Sequence, residues 1–227
     1  MSTSKVKLVS YTQGVGELFD KGPEELITYT ARVSNPSNQM NMETSPKLLA
    51  YLIKHKHWSP FEMSSMTLEI TTSRAIAAQI LRHRSFSFQE FSQRYSEVTN
   101  QIIYPARRQD SKNKQNSIDD LTQEDKKWFV EAQNQVLELS GKLYKEALNK
   151  NIAKECSRFL LPLNTETTLY MCGSLRSWIT YFLVRLDKST QKEHREIALA
   201  CWNIFKKEFE NVSKALEIEY PWLTQLC

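Results

Sequence analysis

Glycine is scarce in this chain, five in 227 residues, and proline numbers only seven. So few breakers leave room for few loops and much helix. Cysteine is scarcer still. Cys156, Cys172, Cys201 and Cys227 are scattered with no C-x-x-C pair, so neither a zinc knuckle nor a disulfide framework is indicated. They read as reduced packing residues. Long apolar runs are missing as well: nothing approaches the ~20 residues of a spanning helix. The opening segment MSTSKVKLVSYTQG lacks the apolar core of a secretory signal. A soluble, cytoplasmic protein with no membrane partner is expected. Strong charge of one sign is also lacking. Thirty basic residues against 26 acidic leave a net +4, mixed along the chain, unlike the clustered basic face of a duplex binder. There is no internal repeat.

What is present is a core former. Hydrophobic residues make up 41% of the chain and aromatics 11%, enough for a globular protein rather than a disordered one. VKLVSYT (6–12) reads as a strand. GPEELITYTARVSN has Pro23 near a helix start, and SPKLLAYLIKHKH (45–57) spaces Leu48, Leu49, Leu52 and Ile53 for a helix face. In SSMTLEITTS, Met66, Leu68 and Ile70 alternate with polar residues as in a half-buried strand. Ser73 is placed to cap a helix RAIAAQILRHR. Residues 105–120 are polar and read as an exposed loop. From Thr122, apolar residues at 129, 132, 136, 139, 143 and 147 describe an amphipathic helix. A short helix stops at Pro162, TTLYMCGS is a candidate strand, and LRSWITYFLVRLD is a helix. TQKE (190–193) has the form of a capping box opening a last helix through Leu216. These elements describe one α+β domain over 1–227 rather than regular βαβ alternation.

The stretch RHRSFSFQEFSQRYSE (82–97) fits neither a solvated surface nor a core. Arg82, His83 and Arg84 at a helix end can simply complement the helix dipole. That does not account for Ser85, Ser87, Gln89, Glu90, Ser92, Gln93 and Arg94 beside three phenylalanines and a tyrosine. Arginine for phosphate, amides and hydroxyls for ring edges and aromatics for stacking together suit a nucleotide. His55 and His57 with His83 offer a zinc alternative, but no fourth ligand is evident and no metal is expected.

RHR, seven residues, then Ser92 and RY, resembles the signature of the flavin-dependent thymidylate synthases. TARVSN (30–35), HKHWSPFEM (55–63) and RFLLPLN…SLRSWITYFLVRLDKSTQKE (158–193) resemble the same family in the same order. The resemblance implies an enzyme that methylates dUMP to dTMP. Carbon comes from methylenetetrahydrofolate, and hydride from reduced FAD regenerated by NADPH. It implies an α+β fold, a central mostly antiparallel sheet flanked by several long helices, in a homotetramer with sites shared between subunits. Residue by residue, Arg82, His83 and Arg84 would hold FAD, and Glu90 would line the junction of flavin and substrate. Gln79, Arg82, Ser92, Arg94 and Arg158 would contact dUMP. Arg185 would face the pyrimidine and favour its anionic form. Ser34, Ser59, Ser174, Arg176 and Thr180 match further FAD contacts.

Ser174, Thr180 and Gln89 depart from the asparagine associated with those positions, and Ser189 from histidine. Arg176 and Arg185 are nine residues apart, half a turn out of phase on one helix. Either the helix breaks or the two serve different parts of a shared site. A cysteine-dependent thymidylate synthase would need a nucleophile, and only Cys156 and Cys172 lie near the arginine-rich stretches. Two other readings remain at this point: a module binding single-stranded nucleic acid through the arginine–aromatic stretch, and a scaffold that has lost catalysis. The enzyme reading, with no nucleic-acid partner, is preferred because the arginines and Ser92 are all present.

Overall fold

A computed structural model describes residues 4–98 and 100–226. In chain order the main elements are strand β1 (Lys5–Tyr11), helices α1 (Pro23–Ala31) and α2 (Ser45–Lys54), strand β2 (Ser65–Ser73), helix α3 (Arg74–Ile80) and strand β3 (Ser87–Glu90). Next come the short strands β4 (Arg108–Gln109) and β5 (Ser117–Ile118), the long helix α4 (Gln123–Asn149), helix α5 (Lys154–Ser157) and strand β6 (Glu166–Ser174). Helices α6 (Leu175–Arg185), α7 (Lys192–Glu208) and α8 (Glu210–Glu219) follow.

The sheet runs β1-β2-β6-β3, and every pairing is antiparallel. This is the α+β architecture expected from the sequence. Its period-2 pattern works as alternation demands: Met66, Leu68, Ile70, Leu169 and Met171 are fully buried on one face. That face packs on Ile76, Trp178, Tyr181, Phe182, Ile197 and Trp202 from α3, α6 and α7. The other face carries Thr71 bonded to Thr168 (3.0 Å) and Tyr170 donating to Glu69 (2.8 Å).

Several local expectations are corrected. Helix α3 ends at Ile80 rather than running on through Arg84, and the segment after RHR is not only loop: Ser87–Glu90 form the edge strand β3. Residues 109 to 117 turn back as the small β4–β5 hairpin rather than as plain loop. The helix after Thr190 has Gln191 at its N-cap with no side-chain cap, so the TQKE box does not form. The last helix is two, interrupted at Phe209, where φ is −131°. There the Glu24 carboxylate, from α1, accepts hydrogen bonds from the Val212 N–H (2.7 Å) and the Asn211 amide (2.9 Å) and so caps α8. Helix α4 forms as expected, capped by Thr122, but its apolar stripe is inside only at Ala147: in the middle of the helix Val136 is 53% and Leu139 59% exposed.

Candidate active site

Helix α3 delivers the signature into a tight turn against β3. Backbone N–H groups of His83 and Phe86 donate to Ile80 (3.1 Å) and His83 (3.2 Å). The turn is pinned by Phe86, whose ring lies edge-on to Trp178 at 4.9 Å. A Cβ on Gly173 of β6 would meet that ring at 2.5 Å, so only glycine leaves the seat open. With Phe86 inserted, His83 turns inward while Arg82 and Arg84 stay exposed.

His83 is the electrostatic centre of the turn. Its Nε2 accepts a 2.8 Å hydrogen bond from the Arg185 Nε at the end of α6, and its ring lies 5.0 Å from that of Tyr181. Burial, then the charges of Arg185 and Arg82, lower its pKa to about 4. The imidazole is therefore neutral at pH 7, and the acceptor role at Nε2 places its proton on Nδ1. The bond occupies Nε of Arg185 and leaves both terminal amino groups for another partner. Gln79, one turn before, is held by Gln191 and His194.

The other expected residues fall into separate patches. Helix α6 is uninterrupted from 175 to 185, so Arg176 and Arg185 lie ~14 Å apart along its axis and serve different places. At its start the Ser174 hydroxyl caps the helix, accepting from the Ser177 N–H (3.3 Å), and donates to Glu62. Arg176 also pairs with Glu62 at 3.1 Å. Ser59 is exposed at the head of the 3-10 turn Ser59–Glu62 that carries this carboxylate. The Thr180 hydroxyl is spent on the Arg176 carbonyl (3.0 Å) and Ser189 on Asp187 (2.6 Å). Ser34 lies exposed after α1.

At the exit of β3, Glu90 pairs with Arg74 (2.8 Å) and accepts from Thr167 (3.0 Å). Beyond it, Ser92 and Tyr95 line a hollow of about 340 Å³ with Gln89, Thr168 and Tyr170. Arg94 takes Glu155 at 2.9 Å. Arg158 forms no ion pair with Glu155, whose carboxylate is taken by Arg94. Arg158 donates to the Glu155 carbonyl (3.2 Å) and lies over the Phe159 ring at 5.6 Å. His55 and His57 pack their rings against Tyr51.

Sequence reasoning missed Glu62, Arg74, Tyr181, Arg107, Glu193 and His194. Glu62 sits three residues past an expected site serine and carried no other signal. Glu193 looked like a capping-box acid, and Arg107 like surface charge.

The donor set fits a flavin dinucleotide. Its diphosphate calls for uncommitted cations, and Arg82 and Arg84 have no hydrogen-bonded or ion-paired side-chain partner among the described residues, on either side of a neutral imidazole.

The comparisons agree. The family model "Thymidylate synthase complementing protein" matches residues 7–211. A protein of a Synechocystis species named "Flavin-dependent thymidylate synthase" is 64% identical over 195 residues, 86% of this chain and 90% of that one. A protein of Paramecium bursaria Chlorella virus 1, named "Probable flavin-dependent thymidylate synthase", is 53% identical over 212 residues, 93% of this chain and 98% of that one. The fold is similar to the crystal structure of the UMP/dUMP methylase PolB from Streptomyces cacaoi bound with 5-Br dUMP, with a TM-score of 0.83 at 22% identity and 96% of each chain covered. With a matched family model spanning most of its length and relatives of this similarity, the chain belongs to the flavin-dependent thymidylate synthases.

Proposed function

We propose that the α3–β3 turn is where this chain brings a flavin and a pyrimidine nucleotide together. As a member of its family the chain methylates dUMP to dTMP with FAD as cofactor. Bound FAD supplies the hydride, renewed from NADPH, and methylenetetrahydrofolate supplies the carbon. The observation that carries the residue assignment is the Arg185–His83 bond. A neutral His83 fixes the guanidinium through Nε, and its free amino groups meet the negative charge that builds on the activated pyrimidine. The cation needs no proton transfer to act. Arg82 and Arg84 hold the anionic part of the dinucleotide beside it. Gln79, Arg82, Ser92, Arg94 and Arg158 hold dUMP, with Glu90 at the junction; Ser34, Ser59, Ser174, Arg176 and Thr180 complete the flavin contacts.

Within one chain these groups lie in separate patches, which supports a site assembled from several copies. The exposed Trp128, Val136 and Leu139 on α4 supply apolar surface of the kind such an assembly covers. We assign a homotetramer, sharing its sites between subunits. We read 1–227 as one domain, which a core extending from Ile27 to Leu223 supports. Among the described residues no helix is long and apolar enough to cross a membrane, and we place the protein in the cytoplasm.

The test is the visible absorption of the purified protein with and without dUMP, followed by dTMP formation with all co-substrates. Flavin bands that shift with dUMP, and product, are expected. Protein that takes up FAD and dUMP without turnover would indicate lost catalysis. Protein that takes up no FAD but binds oligonucleotides in a salt-dependent way would overturn the assignment.

A further inference from the structure

A single file of hydrogen bonds runs from the β4–β5 hairpin to the back of the signature turn. Arg107, just before β4, grips Glu193 with two nitrogens, NH1 at 2.6 Å from Oε1 and NH2 donating to Oε2 at 2.9 Å. Both side chains are nearly buried, 11% and 8% exposed. The Gln191 amide donates to the same Oε2 at 2.9 Å. The Gln79 amide donates to Gln191 Oε1 at 2.6 Å. Gln79 Oε1 lies 3.3 Å from His194 Nδ1, and His194 Nε2 lies 3.1 Å from the Tyr181 hydroxyl. His194 is fully buried.

The chain has one direction, and Glu193 sets it. A carboxylate only accepts, so Gln191 must turn its NH2 toward Glu193 and its carbonyl toward Gln79. Gln79 must then present NH2 to Gln191 and its carbonyl to His194. His194 must in turn donate from Nδ1, so Nε2 accepts and Tyr181 donates. Burial, then the charges of Arg185 and His83, lower the His194 pKa to about 3, so the ring carries one N–H and not two. An amide side chain in an open site has two orientations that exchange oxygen for nitrogen. Here one of them is excluded. The second Nε2 hydrogen and the second Oε1 lone pair of Gln79 have no partner among the described residues.

We propose that His194, Gln191, Glu193 and Arg107 are positioning residues that lock the amide of Gln79 in a single orientation, so that it meets the nucleotide with one N–H and one carbonyl lone pair in fixed places. This rests on the placement of Gln79 at the dUMP site. Orientation fixed beforehand is binding energy that the ligand does not spend on ordering the side chain. It acts on dUMP capture and not on the later chemistry.

The test is steady-state kinetics of the flavin-loaded protein with dUMP varied. His194→Leu removes the donor, and His194→Asn restores an N–H near the place of Nδ1. His194→Leu is expected to raise the dUMP KM about 5- to 10-fold, the worth of one neutral hydrogen bond, with kcat within twofold. His194→Asn should return KM to within twofold of the parent. A merely structural histidine would give equal losses in both variants, or losses in kcat, and either result overturns the proposal. Should His194→Leu not fold, Gln191→Leu, at an exposed position, breaks the same file. An unchanged dUMP KM in that variant would overturn the proposal as well. A parent protein that makes no dTMP would instead sink the functional assignment on which this rests.

Discussion

The β4–β5 hairpin and the α3–β3 turn both present arginines, and the two sets meet opposite conditions. Arg107 is nearly buried and closed onto Glu193. Arg82 and Arg84 are exposed and hold nothing among the described residues. Desolvating a guanidinium is costly unless a carboxylate repays it, so a buried arginine arrives with its partner built in. An exposed one keeps its hydration at little cost and stays available for phosphate. The same residue type is architecture in one region and, in the assignment proposed for the turn, a ligand contact in the other; burial with a partner is what distinguishes them.

That contrast sets an order of expected effects. Arg107→Ala should be the largest, since it leaves the Glu193 carboxylate buried and unpaired: about 3–5 kcal/mol of stability lost in chemical denaturation, whereas Arg84→Ala should leave the denaturation midpoint where it was. Arg185→Ala comes next, with dTMP formation down roughly 100- to 1,000-fold while flavin absorbance is retained. Near-normal turnover would remove Arg185 from the chemistry.

Acid follows. The unfolded chain protonates His194 near 6.5, while the folded protein refuses the proton until about pH 3. The pKa is depressed by folding, so the contribution is complete above 6.5 and drains away as pH falls toward 3. By pH 4 the loss amounts to roughly 3 kcal/mol. The melting temperature should therefore drop between pH 7 and pH 4, and drop less in His194→Asn. His83 adds to the same window, in the same direction. Ser92→Ala should raise the dUMP KM several-fold, about 1 kcal/mol, with melting unchanged. Smallest is Glu155→Ala. Its pair with Arg94 is 51% and 67% exposed, and its loss should change stability by less than about 1 kcal/mol.

The hydrophobic periods made the fold largely legible. The alternation in Met66, Leu68 and Ile70 predicts β2, and Pro23, Ser73 and Thr122 mark helix starts where the structure has them. What was hidden depends on distant partners. β3 offers only Phe88 and Glu90 toward the core, too short a run to show its period, and it exists because β6 presents Leu169 and Met171 as an edge to pair with. The break at Phe209 involves neither glycine nor proline; Glu24 supplies the new helix with its cap from the other end of the chain. The TQKE box failed because Glu193 had a stronger claimant in Arg107. For the site, the resemblance named the residues, and the Arg185–His83 bond joins two of them. The orienting groups behind Gln79 escaped notice because their role is relational: no local pattern ties Arg107 to His194.

The cap that Glu24 places on α8 spans 188 positions of sequence. During synthesis at roughly 5–20 residues per second, the N-terminal helix emerges some 10–40 s before the helix it must cap. The central strand β6 is also late: β2 waits for it, and α2 waits for α8, with their apolar faces uncovered. A nascent chain of this kind spends most of its translation time unable to close its core, so a stalled or truncated product ending before residue 210 is a natural client for chaperones and proteases.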